Sequence, residues 1–418
     1  MPLPTKLEKQ KEMVRRTSRM TGRMTGRKSA NEPCSDYEIS CITHDYNSFQ
    51  WIAQWRRMLS ESQSPEKIYQ SPEFFRFLCK SQTSTSDQIR LFIVTRRSNG
   101  DVVGVVPVRM SNQVLDFKIG TYSFLTPRLR VVRILGSVPI LAEEDGLTQS
   151  LINHLLCTFP DCVAVSMQAY PVELKDRLYK QQGLSFFTLN GWRKCHTIPL
   201  PENFDLYIAK FSAKKRYNLA RQIRLLEKEV GIIAVQRIDQ LAQVKLMIGS
   251  LNGVSDLDKM YFLSEREYEG LASHNLLLSY VLSSGSENIA VVLGSRYDKT
   301  WYVHRIYFSE TYRHFSLGTI ATHLAIKDII TNFTFMNVDF GYGEPNQRFA
   351  STHVLKTRAH VLLSRQGSWI NLFLFAYVSY EKSHSLFVNQ LKSTKRKLVF
   401  GAARVWRKIL RVSKKFSG

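Results

Sequence analysis

The chain has 418 residues, of which 44% are hydrophobic and 11% aromatic, a size and composition suited to two or three packed domains. Its six cysteines include no close CxxC pair, which excludes a zinc ribbon or disulfide scaffold and fits a reduced interior. The formal charge of +23 is concentrated at the ends, with +7 in residues 1–30 and +10 in residues 391–418, so the 360 residues between carry only +6.

Residues 1–34 read as a disordered basic segment, with MTGR repeated at Met20–Arg27 and no apolar signal core. Helices are expected at Phe49–Ser60 and after Ser71-Pro72. The Asn99-Gly100 pair marks a hairpin with strands near Arg90–Arg97 and Asp101–Met110. A strand at Arg128–Gly136, a helix at Leu147–Cys157, a strand at Cys162–Gln168 and a short helix around Val172–Gln182 follow. A similar series then recurs. Ser212–Val230 is a long charged helix capped by Ser212 and stopped by Gly231, with Leu219, Ile223 and Leu226 as its buried stripe. After it come strand Ile232–Arg237 and helices Asp239–Leu251 and Ser264–Leu277. Strands Asn288–Ser295 and Thr300–Phe308 precede helix Ser316–Thr331 and strand Phe335–Phe340. Two related α/β units are implied, with a boundary near Gly191. Beyond strand Arg358–Ser364, a helical region starts at Trp369 and runs into the basic end. The apolar run Trp369–Tyr380 is too short to span a membrane, so the expected location is cytoplasmic, with peripheral attachment to a membrane as an option.

The densest chemistry lies in Trp301–Arg358. Tyr312, Arg313, Ser316, Gly318 and Thr319 open a helix whose first N–H groups lack intrahelical partners, a place where phosphate oxygens can bind. The alternative makes Ser316 a simple cap and Gly318 a turn residue. Asp339 ends a strand, and Glu344 lies in the aromatic turn after it with Tyr342 and Arg348 nearby. Either carboxylate could accept an amine proton. The alternative for Asp339 is a turn cap or a partner of Arg348 and Lys356. His304 could face a cleft or be a satisfied structural histidine. Lys214, Lys215, Arg216, Arg221 and Arg224 form a basic cluster on the Ser212 helix, suited to phosphates or to solvent. Zinc-protease, Walker, nucleophile-elbow and dinucleotide-binding motifs are absent from the sequence, and no metal is expected.

Three segments carry a resemblance: SAKKRYNLARQIRLLEKEVG at Ser212–Gly231, VHRIYFSETYRHFSLGTIATHLAIKDII at Val303–Ile330 and VDFGYGEPNQRF at Val338–Phe349. They resemble the GNAT acyltransferase superfamily, in particular its BioF-like or CelD-like acetyltransferases, which are related to the FemAB aminoacyl-transferase fold. That resemblance implies an α/β fold of tandem GNAT-like (FemAB-like) lobes, each a mixed central sheet flanked by helices. It places an N-terminal lobe at 35–190, a GNAT-like acetyltransferase domain at 191–368 and a basic helical extension at 369–418. It also implies N-acetyl or other acyl transfer from acetyl-CoA or another acyl-CoA to a small-molecule amine acceptor. In that reading Tyr312, Arg313, Ser316, Gly318 and Thr319 hold the donor, and Tyr342, Arg348 and Lys356 the acceptor. The RHFSLG loop departs from the family's glycine-rich spacing. Aminoacyl-tRNA-dependent transfer and a non-catalytic membrane- or RNA-binding adaptor are the alternatives. The basic segments could meet an anionic membrane surface, tRNA or an acyl carrier protein, and the oligomeric state is left open.

Overall fold

The computed structural model describes residues 36–42, 49–81, 89–119, 122–254, 263–342, 352–388, 390 and 394. Strand β1 (Tyr37–Ile42) leads to helix α1 (Phe49–Glu61), a 3-10 turn at Lys67–Gln70 and helix α2 (Pro72–Ser81). Hairpin β2 (Ile89–Arg96) and β3 (Val102–Val114) turns at the expected place. Gly100 has φ +74°, and the Arg96 N–H donates to the Asp101 carbonyl. A separate small hairpin follows, β4 (Phe117–Ile119) and β5 (Tyr122–Leu125). Next come β6 (Arg128–Ile134), β7 (Ile140–Leu141), α3 (Leu147–Thr158), β8 (Ala164–Pro171) and α4 (Lys175–Tyr179).

The second half begins with β9 (Leu184–Pro199), α5 (Phe204–Ala209) and α6 (Ala213–Val230). Helix α6 has the predicted ends: the Ser212 hydroxyl accepts from the Lys215 N–H, and Gly231 takes φ +90°. Then follow β10 (Ile233–Ile238), α7 (Val244–Val254), α8 (Glu265–Ser273), β11 (Ser279–Ser284), β12 (Glu287–Tyr297) and β13 (Thr300–Phe308). A 3-10 turn at Glu310–Phe315, α9 (Leu317–Asn332), β14 (Asn337–Tyr342), β15 (Val354–Arg365) and a helix α10 at 369–388 complete the described chain.

The architecture is mixed α/β around one large sheet of thirteen strands. Their order is β1-β2-β3-β6-β8-β15-β9-β14-β13-β12-β11-β10, with β7 on β3. Each half contains a strand, a crossover helix and a parallel strand: β6-α3-β8 and β13-α9-β14. The strand following each unit crosses into the other. Strand β9 pairs with β14, while β15 pairs with β8, and β9 and β15 pair with each other at the centre. Strand β9 passes continuously through Gly191, bulging where Asn190 and Gly191 take φ +57° and +63°.

The sequence reading has no strand at β1, β9 or β11 and no helix at α5. It also extends α8 to Leu277. The helix stops at Ser273, Asn275 takes φ +59°, and the apolar run after it feeds β11. A short apolar run suits either element, and here the antiparallel partner β12 decides.

Helix α3 covers one face of the first half, packing Leu151, Ile152 and Leu155 with Val132, Val165 and Met167. Helix α10 covers the other, packing Ile370, Leu374 and Tyr377 with Val131 and Leu362. In the second half α9 buries Ile320, Ala325 and Ile329 against Trp301 and Val338. On the opposite face, α7 and α8 pack with Tyr302 and Leu293, joined by Ile68 and Phe77 from the first half. Each such fully buried aliphatic side chain contributes roughly 1.5–3 kcal/mol of transfer free energy. That shared cluster fixes the 62–70 segment of the first half over the sheet of the second.

Candidate active site

Strands β13 and β14 are parallel and paired at three positions: Thr300 with Asn337, Trp301 with Val338, and Tyr302 with Asp339. Beyond Asp339 the two strands part. Strand β14 continues on β9, where Tyr342 faces Cys195, and β13 continues on β12. The result is a wedge with Tyr302 and Asp339 at its closed end, where backbone groups of the two strands no longer pair with each other.

A buried ion pair sits at that closed end. Arg358 of β15 is 2% exposed and donates from Nη2 to Oδ2 of Asp339, 5% exposed, at 2.7 Å. The other carboxylate oxygen, Oδ1, accepts from the Gly341 N–H at 2.8 Å, and Gly341 takes φ +62°. Both expected structural uses of Asp339 are therefore realised, as turn cap and as ion-pair partner. The partner, however, is Arg358, and Lys356 stays exposed. The Nε and Nη1 of Arg358 are buried without a hydrogen-bond partner. An arginine with two buried, unanswered donors is costly unless something completes it.

Glu66 supplies a second carboxyl to the same neighbourhood, from the loop before the Lys67–Gln70 turn. Burial pushes its carboxyl up to about 7, with Arg358 pulling it down and Asp339 adding to the rise. Among the described residues no donor hydrogen-bonds its carboxylate. Tyr69 and Tyr302 lie in the same field, and burial raises both phenols far above their ordinary value. Cys195 is buried and its thiol is pushed up to about 11, so it stands as a neutral thiol and not a nucleophile. The ring of Tyr342 carries Arg193 at 4.0 Å from its centroid, and the Tyr342 hydroxyl is buried without a partner.

Of the cavities that meet the 62–69 segment, two reach the groups just described. One, of about 560 Å³, lies between α2 and α8 and includes Tyr69, Phe77, Arg109, Tyr268, Ser295 and His304. The other, of about 470 Å³, is lined by Pro65, Lys67, Tyr302, Asp339, Lys356 and Arg358. His304 is the bulged residue of β13, since Leu293 faces Arg305 and Gly294 faces Val303. Its Nε2 lies 2.8 Å from the Ser295 hydroxyl, while its ring remains open to the first cavity. The protein packed around it lowers its pKa, although the side chain is exposed along the cavity wall. A Cβ on Gly294 would fall 2.7 Å from the Leu278 carbonyl and 2.9 Å from that of Tyr302, so the bulge requires glycine.

The expected donor loop lies at the other end of β13, about 20 Å from Tyr302 at the ordinary strand rise. Ser316 adopts the left-handed conformation, φ +62° and ψ +43°, and its carbonyl starts α9 without a side-chain cap. The N–H groups of Leu317 and Gly318 precede the first helical repeat. Arg313 is exposed and, among the described residues, pairs with Glu310 at 3.0 Å, so it can turn to an anion. Tyr312 donates to Glu287 at 3.0 Å, and Thr319 is buried. The space beside Gly318 is taken by the Phe308 ring, 3.2 Å from where a Cβ would sit. Helix α6 packs Leu219 and Ile223 into the same cluster as Tyr312 and Phe315, which seats the helix against this loop.

The structure thus brings Asp339 and Lys356 to one cavity and His304 to the other. Tyr312, Arg313, Ser316 and Gly318 stand apart at the helix start. Glu344 and Arg348 lie outside the described residues. Sequence reading missed Glu66, Tyr69, Tyr302, Arg193 and Arg358. The one available signal was Arg358, a charge next to the apolar run of a central strand. Glu66 lies in an ordinary polar loop and carries no local mark. Among the described residues no cluster of His, Cys, Asp and Glu could hold a metal ion. No helix among them is long and apolar enough to cross a membrane.

Residues 213–349 match the model of an acetyltransferase (GNAT) domain. No curated protein matches the sequence. Among solved structures, FemX superimposes with a TM-score of 0.53 at 11% identity, over 81% of this chain and 100% of its own. A tandem GNAT protein from the clavulanic acid biosynthesis pathway gives 0.48 at 10%, over 79% and 99%. L-PGS from Bacillus licheniformis gives 0.44 at 13%, over 78% and 96%. Residues 213–349 are thus similar to an acetyltransferase (GNAT) domain, and the likeness to FemX, which spans both halves, is one of fold.

Proposed function

We propose that the chain is an acyltransferase, of tandem-lobed GNAT and FemAB type, that moves an acyl group from an activated donor to an amine by direct attack. The observation that carries this reading is the wedge between β13 and β14, closed by Asp339–Arg358 and overlooked by the unpartnered carboxyl of Glu66. The amine nitrogen attacks the acyl carbonyl carbon, and backbone N–H groups of the parted strands stabilise the oxyanion. The bond from carbon to the leaving sulfur or oxygen then breaks, and the leaving group takes a proton. Glu66, with a carboxyl near neutrality, accepts the proton that the amine releases. Asp339 is the weaker candidate for this step, because both its oxygens are already held. Its part is to keep Arg358 placed against the reacting groups.

For the donor, a tRNA-borne aminoacyl ester is favoured over acyl-CoA. The basic face of α6 borders the loop before α9, and that loop lacks the family's second glycine. The fold likeness to FemX over 81% of the chain supports the same donor. Acyl-CoA is the second reading, favoured by the acetyltransferase domain match at 213–349.

The deciding experiment offers the protein an amine panel with charged tRNA and, separately, with a panel of acyl-CoAs. Transfer from charged tRNA, unaffected by free coenzyme A, is expected. Turnover of an acyl-CoA without RNA would move the donor assignment to coenzyme A. Failure of both donors across the amine panel would remove the acyltransferase reading.

A further inference from the structure

We infer that the β4–β5 hairpin and helix α10 together form a surface that docks the protein onto an anionic lipid bilayer. This inference is independent of the acyl-transfer reading.

Helix α10 turns one face to the core, where Ile370 and Leu374 are fully buried. Its opposite face carries Trp369, Leu372 and Phe375, exposed by 72%, 77% and 65%. The hairpin adds Ile119 at 68% and Tyr122 at 73%. The two pieces are packed on each other. Phe117 packs on Tyr377 at 4.9 Å between ring centroids, and Phe124, itself half exposed, reaches Tyr380 at 6.4 Å. The Lys118 N–H donates to the Tyr380 hydroxyl at 2.6 Å, which fixes the hairpin on the helix.

Large exposed aromatic and aliphatic side chains gathered on adjacent elements mark an interaction site. The mixture of Trp, Tyr and Phe with Leu and Ile is the one that settles at the boundary of headgroups and acyl chains. Charge selects the occupant. The sequence directly after α10, residues 391–418, holds ten Lys or Arg and no Asp or Glu. A basic segment continuing from an apolar face matches an anionic bilayer, which offers both chemistries side by side. A second copy of this chain would bring a second segment of ten Lys or Arg and no acid, with no opposite charge to meet the first.

The test is co-sedimentation of the full chain with phosphatidylcholine vesicles, with and without phosphatidylglycerol. Binding is expected with phosphatidylglycerol, weaker by about tenfold or more without it and in high salt. Two variants separate the apolar surface from the basic segment: Leu372→Ser with Phe375→Ser, and Ile119→Ser with Tyr122→Ser. Each should weaken binding to the anionic vesicles by about tenfold while the melting temperature stays within a few degrees. Wild-type binding in both variants would overturn the inference, as would no binding of the unaltered chain at low salt. A dimer of the unaltered chain that both variants convert to monomer would overturn it in favour of a second copy.

Discussion

The two halves of the sheet contain the same unit, yet their parallel strand pairs are finished differently. In the first half, β6 and β8 pair over Val131–Ile134 and Ala164–Met167, and both faces are sealed by apolar helices. Arg133 and Ser166 face each other there, but the Ser166 hydroxyl is taken by His360 at 2.8 Å. In the second half, the equivalent pair parts after Tyr302 and Asp339, and a cavity beside the pair is lined by Asp339, Arg358, Lys356 and Tyr302. The difference teaches that the parallel crossover unit is a scaffold, stable whether closed or open. What makes a site is the exchange of strands at the centre, since it delivers Arg358 on β15 beside an aspartate that a lone unit would leave unpaired. The first half in turn places Glu66 over the second. Neither half holds the full set.

The largest effect should come from breaking the central pair. Replacing Arg358 with Met leaves Asp339 as an uncompensated buried charge, so a loss of about 3–5 kcal/mol is expected in denaturant unfolding. In the first half, Leu151→Ala should cost a similar amount, about 2–5 kcal/mol, through a cavity. The variants then separate by function, because only the first should abolish transfer at temperatures where both are folded. If Leu151→Ala lost transfer as completely, the halves would not differ as described. Next in size is Gly294→Ala, which drives a methyl group at the Trp301–Leu278 hydrogen bond and must displace the β13 bulge. A cost of about 1–3 kcal/mol is expected in thermal unfolding, with His304 shifted off Ser295. An unaltered melting temperature would mean that the bulge is not held as tightly as the geometry requires.

Glu66 gives a smaller stability effect with a definite sign. Its carboxyl ionises at about 7 in the folded chain, against a value of 4.5 when unperturbed. The folded state therefore holds its proton more tightly than the unfolded state. The contribution to stability is full below pH 4.5, falls as pH rises toward 7 and is gone above it. Glu66→Gln removes that penalty. The variant should be more stable than the unaltered chain by up to roughly 3 kcal/mol above pH 7, and equal to it near pH 4. Transfer should move the other way, falling about a hundredfold or more, with the rise of rate through neutral pH lost. Equal stability differences at both pH values would show that Glu66 is already ionised in the folded chain.

How much of this was legible in the sequence follows from range. The Asn99-Gly100 hairpin, the Ser212 cap and the helix after Ser316 are set by neighbours within a few residues, and each is where local chemistry puts it. Strands β9 and β15 are not local objects. Strand β9 mixes polar and aromatic residues, and its conformation is set by partners more than a hundred positions away. The same holds for the site. Asp339 stood out because it closes an apolar strand beside a helix start. Its partner Arg358 and its neighbour Glu66 reach it only through the strand exchange and the packing of Ile68 and Phe77 on the second half. At Gly318 the Phe308 ring lies 3.2 Å from where a Cβ would sit, a contact between residues ten apart that local sequence does not show.

The smallest effect on stability should come from the loop before α9, and it tests the other end of the wedge. Arg313 is exposed, and its pair with Glu310 is an i,i+3 interaction at the surface. Such pairs contribute little, so Arg313→Ala should change stability by less than about 0.5 kcal/mol. Its guanidinium nevertheless sits on the 3-10 turn leading into a helix start where two N–H groups have no intrahelical carbonyl to meet. If a donor anion binds there, the loss appears in KM for the donor while kcat and the acceptor's KM stay near their original values. Removing an interaction that is equally strong in the ground and transition states has that effect. The size should be about tenfold in KM, the weight of one charge-assisted hydrogen bond at an exposed site. Adding Arg224→Ala on α6 then separates the two donors. A compact donor touching only the helix start gains nothing from α6, so the double variant would match the single one. A polyanion lying along α6 would lose affinity a second time and show a shallower dependence on salt.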